Sequence, residues 1–267
     1  MPQGQPVPTP SAAILEALPL AAASLLARLA RAETLRDAPP PPPPAPLWRP
    51  LDGPQSMALA SQADEVYYGG GAGGGKSFLL IGYGLTQARF GIIFRRQFKQ
   101  LLGPEGLIET SKTVIGQPAA FNNSTMIWRL GERQLEFGAC DHEDDKFKYQ
   151  GRAHDFKGFD EIAQFSESQY LYLSGWARTT AVGQRVRIIA CGNPPQSAEG
   201  EWIIQRWGPW LDEEHKRPAI PGELRWFVRT RGGSEIEVDG PSVVTIEGED
   251  LTPKSRTFIP ARVQDNP

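Results

Sequence analysis

The spacing of apolar residues changes along the chain, and each change marks an element. Ile14, Leu15, Leu18, Leu25, Leu26 and Leu29 recur with helical spacing, and Ser11 stands where an N-cap would. A helix is expected over Ser11–Arg36, kinked or delayed by Pro19. The run Pro39 to Pro44, with Pro46 after it, reads as a stiff polyproline II spacer. From Trp48 onward, short apolar runs alternate with helical stretches. Glu65–Tyr68 reads as a strand, followed by a glycine loop and a helix from about Lys76 to Arg89. Gly91–Arg95, Phe156–Phe159 and Val186–Cys191 read as further strands, and Met126–Phe137 as paired strands around Gly131-Glu132. Near the end, Leu224–Arg229 and Glu235–Val238 flank Gly232-Gly233 as a β-hairpin, and Val243–Ile246 reads as one more strand.

Strands alternating with helices predict an α/β domain with a mostly parallel central sheet flanked by helices, carrying a C-terminal β-hairpin extension. Residues 1–47 are expected to be an N-terminal helix and Pro-rich linker, partly disordered, and 48–267 the main domain. The 267 residues suffice for one large domain with appendages, and 40% apolar with 22% charged residues is ordinary for a soluble protein. A net charge of −3 excludes a chain that is basic throughout and leaves room for a local basic face. Cys140 and Cys191 have no CxxC spacing and are expected to be buried thiols. Three histidines, His142, His154 and His215, are too few and too scattered for a His-based zinc site. The apolar stretch Ala12–Ala27 contains Glu16 and Pro19 and lacks a basic start, so neither a signal peptide nor a membrane span is expected.

The glycine loop carries the first chemistry. Gly70, Gly75, Lys76 and Ser77 fit the pattern G-x-x-x-x-G-K-[ST], with Gly71, Ala72, Gly73 and Gly74 between them. A loop around a polyphosphate must aim several backbone N–H groups inward, and glycines permit the backbone angles this needs. The following helix adds its free N–H groups and the positive end of its dipole. Lys76 would place a charge at the β- and γ-phosphates, and Ser77 would ligate Mg²⁺. A flexible glycine linker would not explain Lys-Ser at this place, nor a strand before it and an apolar helix after it. The class expected is therefore a P-loop NTPase of the RecA/ASCE type that binds ATP and Mg²⁺.

The second string is Phe156-Lys157-Gly158-Phe159-Asp160-Glu161, a strand ending in two acids. This looks like a Walker B element. Asp160 would hold Mg²⁺, and Glu161 would orient and polarise the attacking water. Lys157 and Gly158 stand where apolar residues are usual, which weakens the match. The acidic run Asp141–Asp145 reads as a solvated loop.

With both strings placed, the chain from about Trp48 to its end resembles the N-terminal ATPase half of the large terminase subunit of tailed bacteriophages. Several pieces carry the resemblance. Trp48-Arg49-Pro50 and Pro54-Gln55 resemble the family's adenine-recognising Q motif, and Tyr68-Gly69-Gly70 leads into the P-loop. Phe94-Arg95-Arg96 ends the next strand, and Tyr149-Gln150-Gly151 precedes the acidic pair. Gln164-Phe165 and Cys191-Gly192-Asn193-Pro194 follow, and Ser255-to-Pro260 with Asp265-Asn266-Pro267 looks like the family's run-out from this domain.

The resemblance implies a packaging motor that drives double-stranded DNA into a procapsid in the cytoplasm of an infected bacterium, without contact to a membrane. It implies a homo-oligomeric ring, a portal protein and a small terminase subunit as partners. It assigns Gln55 to the adenine edge and Asn193 to sensing the γ-phosphate. It calls for an arginine finger, for which Arg152 is the first candidate, then Arg178 and Arg96, because Gln150 stands where relatives carry the arginine. Arg225, Arg229, Arg231, Lys254 and Arg256 are candidate phosphate contacts to DNA. The family's RNase H-like nuclease domain would begin about where this sequence stops, so a fragment without nuclease activity is expected. The alternative is another P-loop ATPase, such as a helicase-like nucleic-acid translocase.

Overall fold

The structure, a computed structural model, describes residues 47–71, 73–115, 120–195 and 198–265. The helix expected over Ser11–Arg36 and the proline spacer lie outside the described residues. Twelve strands are described: β1 (Glu65–Gly69), β2 (Phe90–Arg95), β3 (Ala120–Asn122), β4 (Ile127–Leu130), β5 (Arg133–Ala139), β6 (Phe156–Asp160), β7 (Arg187–Gly192), β8 (Arg225–Arg229), β9 (Glu235–Val238), β10 (Val244–Ile246), β11 (Glu249–Leu251) and β12 (Lys254–Pro260). Seven α-helices accompany them: α1 (Pro54–Ala60), α2 (Lys76–Thr86), α3 (Lys99–Leu102), α4 (Leu107–Ile115), α5 (Glu167–Gly175), α6 (Glu201–Arg206) and α7 (Gly208–Leu211).

Ten strands form one sheet in the order β3-β4-β5-β2-β6-β7-β1-β12-β8-β9. The six inner strands β5-β2-β6-β7-β1-β12 run parallel, and antiparallel pairs extend both ends. A parallel strand is covered on both faces and so must be buried throughout. β1, β6 and β7 meet this demand at every residue. Alternation along β1 sends Val66 and Tyr68 into one apolar cluster with Leu79, Leu80 and Phe156. Tyr67 goes to the other face, with Phe94, Phe159, Tyr170 and Trp207.

The helices follow their local chemistry. Pro54 opens α1, where a missing N–H costs nothing. Ser166 and Gln169 cap α5 reciprocally, each side chain meeting the other's backbone N–H. α2 ends at Thr86, short of the expected Arg89. The acidic run is a capped turn. The Asp145 carboxylate accepts from His142 N–H at 2.9 Å, and Lys146 and Lys148 pair with Glu143 and Asp145.

Of the expectations at the C-terminal end, one needs correcting. The expected hairpin is β8–β9, and it extends the main sheet because β8 pairs with β12. Ser255-to-Pro260, read as run-out, is the core of β12, lying parallel to β1. The expected strand over Val243–Ile246 is β10, which among the described residues pairs with β11 alone.

A buried charge network fastens this end. Glu65 accepts from Arg206 Nη2 at 2.8 Å and from Tyr170 Oη at 3.0 Å. Glu235 accepts from Arg206 and twice from Arg256, each at 2.7 Å. Burial pushes the Glu235 carboxyl up, but the two arginines outweigh it and hold it down to about 2. Arg256, named above as a candidate DNA contact, is therefore sequestered, with 3% exposure. Arg225 pairs with Glu223 and Glu237, and Arg231 with Glu249.

Candidate nucleotide-binding site

The C-terminal ends of β1, β2, β6 and β7 share one edge of the sheet, where ligands bind in open α/β folds. β7 lies between β1 and β6, so Asn193 falls between the glycine loop and the acidic pair. The loop's shape depends on glycine. Gly70, Gly73 and Gly75 have φ of 141°, 81° and 68°. A Cβ on Gly70 would lie 1.8 Å from the Ala261 carbonyl oxygen, so no other residue fits there. Ala72 lies outside the described residues. Tyr68 Oη donates to Gly74 O at 3.1 Å, and Ala261 N–H donates to Gly69 O at 2.6 Å. α2 starts at Lys76 with no side-chain cap, leaving its first N–H groups for a ligand.

Lys76 is buried. Its Nζ donates to Gly71 O and Asn193 Oδ1, both at 2.9 Å. Ser77 Oγ donates to Asp160 Oδ2 at 3.1 Å. Asp160 is fully buried at the end of β6, and Arg95 donates to the same Oδ2 through Nε at 2.9 Å and Nη2 at 2.7 Å. Asp160 Oδ1 is buried and has no hydrogen-bond partner. A buried carboxylate oxygen without a donor is costly, and a hard cation is the ligand that suits it. Ser77 and Asp160 thus fit Mg²⁺, which takes few protein ligands and completes its shell from phosphates and water. Among the described residues there is no cluster of three or more His, Cys, Asp or Glu fit to cage a metal.

Glu161 follows directly. It has φ 56° and ψ 56°, a left-handed backbone that costs a residue with a Cβ about 1–2 kcal/mol. Such strain persists at functional sites because the surroundings impose it. Its carboxyl is half-buried. Burial, then the neighbouring Asp160 charge, push it above the usual carboxylate range against the pull of Lys76 and Arg95. A carboxyl tuned upward near a phosphate loop suits a general base.

The remaining sequence-named residues divide. Gln55 is buried. Its Oε1 accepts from Leu51 N–H at 2.9 Å, and its Nε2 donates to Gly75 O at 3.1 Å. Its amide oxygen is thus used within the chain, and Gln55 braces the end of the loop. Asn193 joins the site through Lys76, and Tyr67 Oη holds its backbone carbonyl at 3.1 Å.

Arg152 does not join. It precedes β6 whereas Asp160 ends it, so the two stand at opposite edges of the sheet, and Arg152 pairs with Glu136. Arg178 donates to Gly151 O near Arg152, and Arg96 donates to Cys140 O. The arginine that reaches the site is Arg95, to which the sequence alone assigns no role. Its signal lay in strand register, since Phe94 pairs with Phe159 and sets Arg95 beside Asp160.

Fold and loop together define a P-loop α/β domain. No family model and no curated protein matches the chain. Among solved structures, the large terminase of a thermophilic bacteriophage matches with a TM-score of 0.51 at 14% identity, covering 82% of this chain and 47% of that one. The same phage's large terminase in complex with ADP matches with a TM-score of 0.37 at 17% identity, covering 54% and 38%. The large terminase ATPase domain of Thermus phage P74-26 gives 0.43 at 16%, covering 66% and 79%. The first of these establishes a shared fold. The chain spans about half the length of that first large terminase.

Proposed function

We propose that this chain is the ATPase motor domain of a phage-type large terminase, which hydrolyses ATP to drive double-stranded DNA into a procapsid. The observation that carries the proposal is the convergence of Lys76, Ser77, Asp160, Glu161 and Asn193 at the ends of three adjacent strands. The shared fold with a large terminase supports the choice of motor over other P-loop enzymes.

In the mechanism proposed, N–H groups of Gly70 to Ser77 wrap the polyphosphate of the ATP substrate. Lys76 exchanges Gly71 O and Asn193 Oδ1 for the β- and γ-phosphate oxygens. Mg²⁺, held by Ser77 and Asp160, would neutralise phosphate charge as the terminal bond breaks. Glu161 orients a water and accepts its proton as the water oxygen attacks the γ-phosphorus, and ADP leaves. Asn193, released by Lys76, registers the terminal phosphate or the water.

A ring of copies, fed by a small terminase subunit and seated on a portal, completes the proposed machine. In such a ring an arginine acts on the neighbouring copy's nucleotide. Arg152, whose side chain is 42% exposed, remains the candidate for that role in trans. DNA is gripped through phosphates, and hydrolysis is the only activity assigned to this chain.

The test compares the wild type with Glu161→Gln, measuring hydrolysis and binding of a fluorescent ATP analogue. Hydrolysis should fall at least about a hundredfold with binding retained. A wild type that binds ATP yet never exceeds the Glu161→Gln background, even concentrated and with DNA present, would overturn the proposal.

A further inference from the structure

We propose that Arg95 is a built-in counter-cation that holds the divalent cation's place on Asp160 until a nucleotide arrives with its own metal. The inference rests on the ATPase reading above and concerns how the same site is loaded.

Three donors converge on a single atom, Asp160 Oδ2: Arg95 Nε, Arg95 Nη2 and Ser77 Oγ. That oxygen is saturated. The loop from Gly70 to Ser77 supplies one side-chain cation, Lys76, and it is turned to Gly71 and Asn193 instead. Among the described residues, Arg95 is the cation paired with Asp160. A dication on Asp160, at the free Oδ1 as much as at Oδ2, would stand within a few ångströms of this guanidinium, and like charges at such distances repel strongly in a buried site. Without phosphates, Ser77 and Asp160 offer a dication only two side-chain ligands, and the arginine holds the place. With phosphates, the dication's shell is completed and the arginine must leave.

The structure also contains a place for it to go. An open recess of about 520 Å³ adjoins Arg95, lined by Gln100, Gly103, Pro104, Glu105 and Gly106. Gln100 Oε1 is buried and has no hydrogen-bond partner. An acceptor without a donor and a nearby carboxylate are what a displaced guanidinium needs. Arg95 is 17% exposed at its side chain and ends its strand, so its far atoms can swing without breaking backbone pairing. Arg95 thus has two stations, Asp160 when the loop is empty and Gln100 with Glu105 when it is loaded.

The test uses Mn²⁺ alone, followed by electron paramagnetic resonance on nucleotide-free protein. Arg95→Gln should bind Mn²⁺ at least about tenfold more tightly than the wild type, and adding Asp160→Asn to it should abolish the gain. A folded Arg95→Gln with wild-type Mn²⁺ affinity would sink the proposal. Because no hydrolysis is read, an inactive protein would count against the ATPase reading and leave this result interpretable. A second measurement needs no variant. The Arg95 Nε–H resonance of the wild type should move on adding Mg²⁺ with ADP, and stay put with Mg²⁺ alone. Movement with the metal alone refutes the idea, as does no movement once fluorescent ADP shows the site filled.

Discussion

The hydroxyl of Tyr68 donates to the carbonyl of Gly74 at 3.1 Å, so the strand that enters the phosphate loop also holds the loop's far side. Burial pushes the Tyr68 hydroxyl well above its ordinary pKa, so it stays a donor at every working pH. Gln55 braces the next residue, Gly75, from α1. The loop is therefore held open by side chains before any phosphate arrives.

Tyr68→Phe keeps the ring and removes that donor. It should cost about 1 kcal/mol of stability, since the Gly74 carbonyl loses a partner. Nucleotide affinity should fall several-fold because the loop is less preorganised. Thermal melts and a titration with labelled ADP check the two effects separately. Unchanged affinity would show that the glycine loop holds its shape without this anchor.

Lys157 is fully buried in β6, its Nζ without a hydrogen-bond partner and 5.6 Å from the Phe94 ring. Burial drives its pKa down to about 8 from 10.5. Between those two values the unfolded chain binds more protons than the folded one, so stability must rise with pH across that window. Below the window the buried charge costs about 3 kcal/mol. Lys157→Met should remove the cost, raising stability at pH 7 and flattening the curve from about pH 8 to 10.5. Denaturant unfolding of both proteins across that range tests the difference. Parallel curves would mean that the amine finds water or a partner in solution.

Glu161 bears a left-handed backbone at φ 56° that a glycine adopts freely. Glu161→Gly should therefore stabilise the fold by about 1 kcal/mol while abolishing hydrolysis. The pairing of gain and loss is the diagnostic outcome. Thermal melts and a hydrolysis assay on the same preparation read both. A destabilised variant would show that the Glu161 side chain contributes to the fold more than its strain takes away.

The site was legible wherever it is local. Gly70 to Ser77 announces itself because strand, loop and helix are contiguous, and Asp160-Glu161 because they end a strand. β6 looked weak in sequence only because Lys157 and Gly158 break its apolar run. Gly158 fits because a Cβ there would come within 3.1–3.2 Å of Ile93, Leu80 and Phe156. What stayed hidden depends on which strands become neighbours. Arg95 reaches Asp160 only because β2 lies beside β6, 65 residues later. Ser255-to-Pro260 is a central strand only because β1 accepts it 191 residues away, where Asp64 meets Ser255. Its polar residues are buried by pairs, Arg256 with Glu235 among them, that no periodicity reveals.

The contact between Gly70 and Ala261 has a mechanical meaning. The Ala261 carbonyl fills the space where a side chain on Gly70 would stand, and its N–H is bonded to Gly69. Val263 lies over Gly73 in the same way. Loop and departing chain thus share one surface with no slack between them. Any residue larger than glycine at position 70 would have to push Ala261 aside, so the chain leaving β12 acts as a gauge on what the loop can carry.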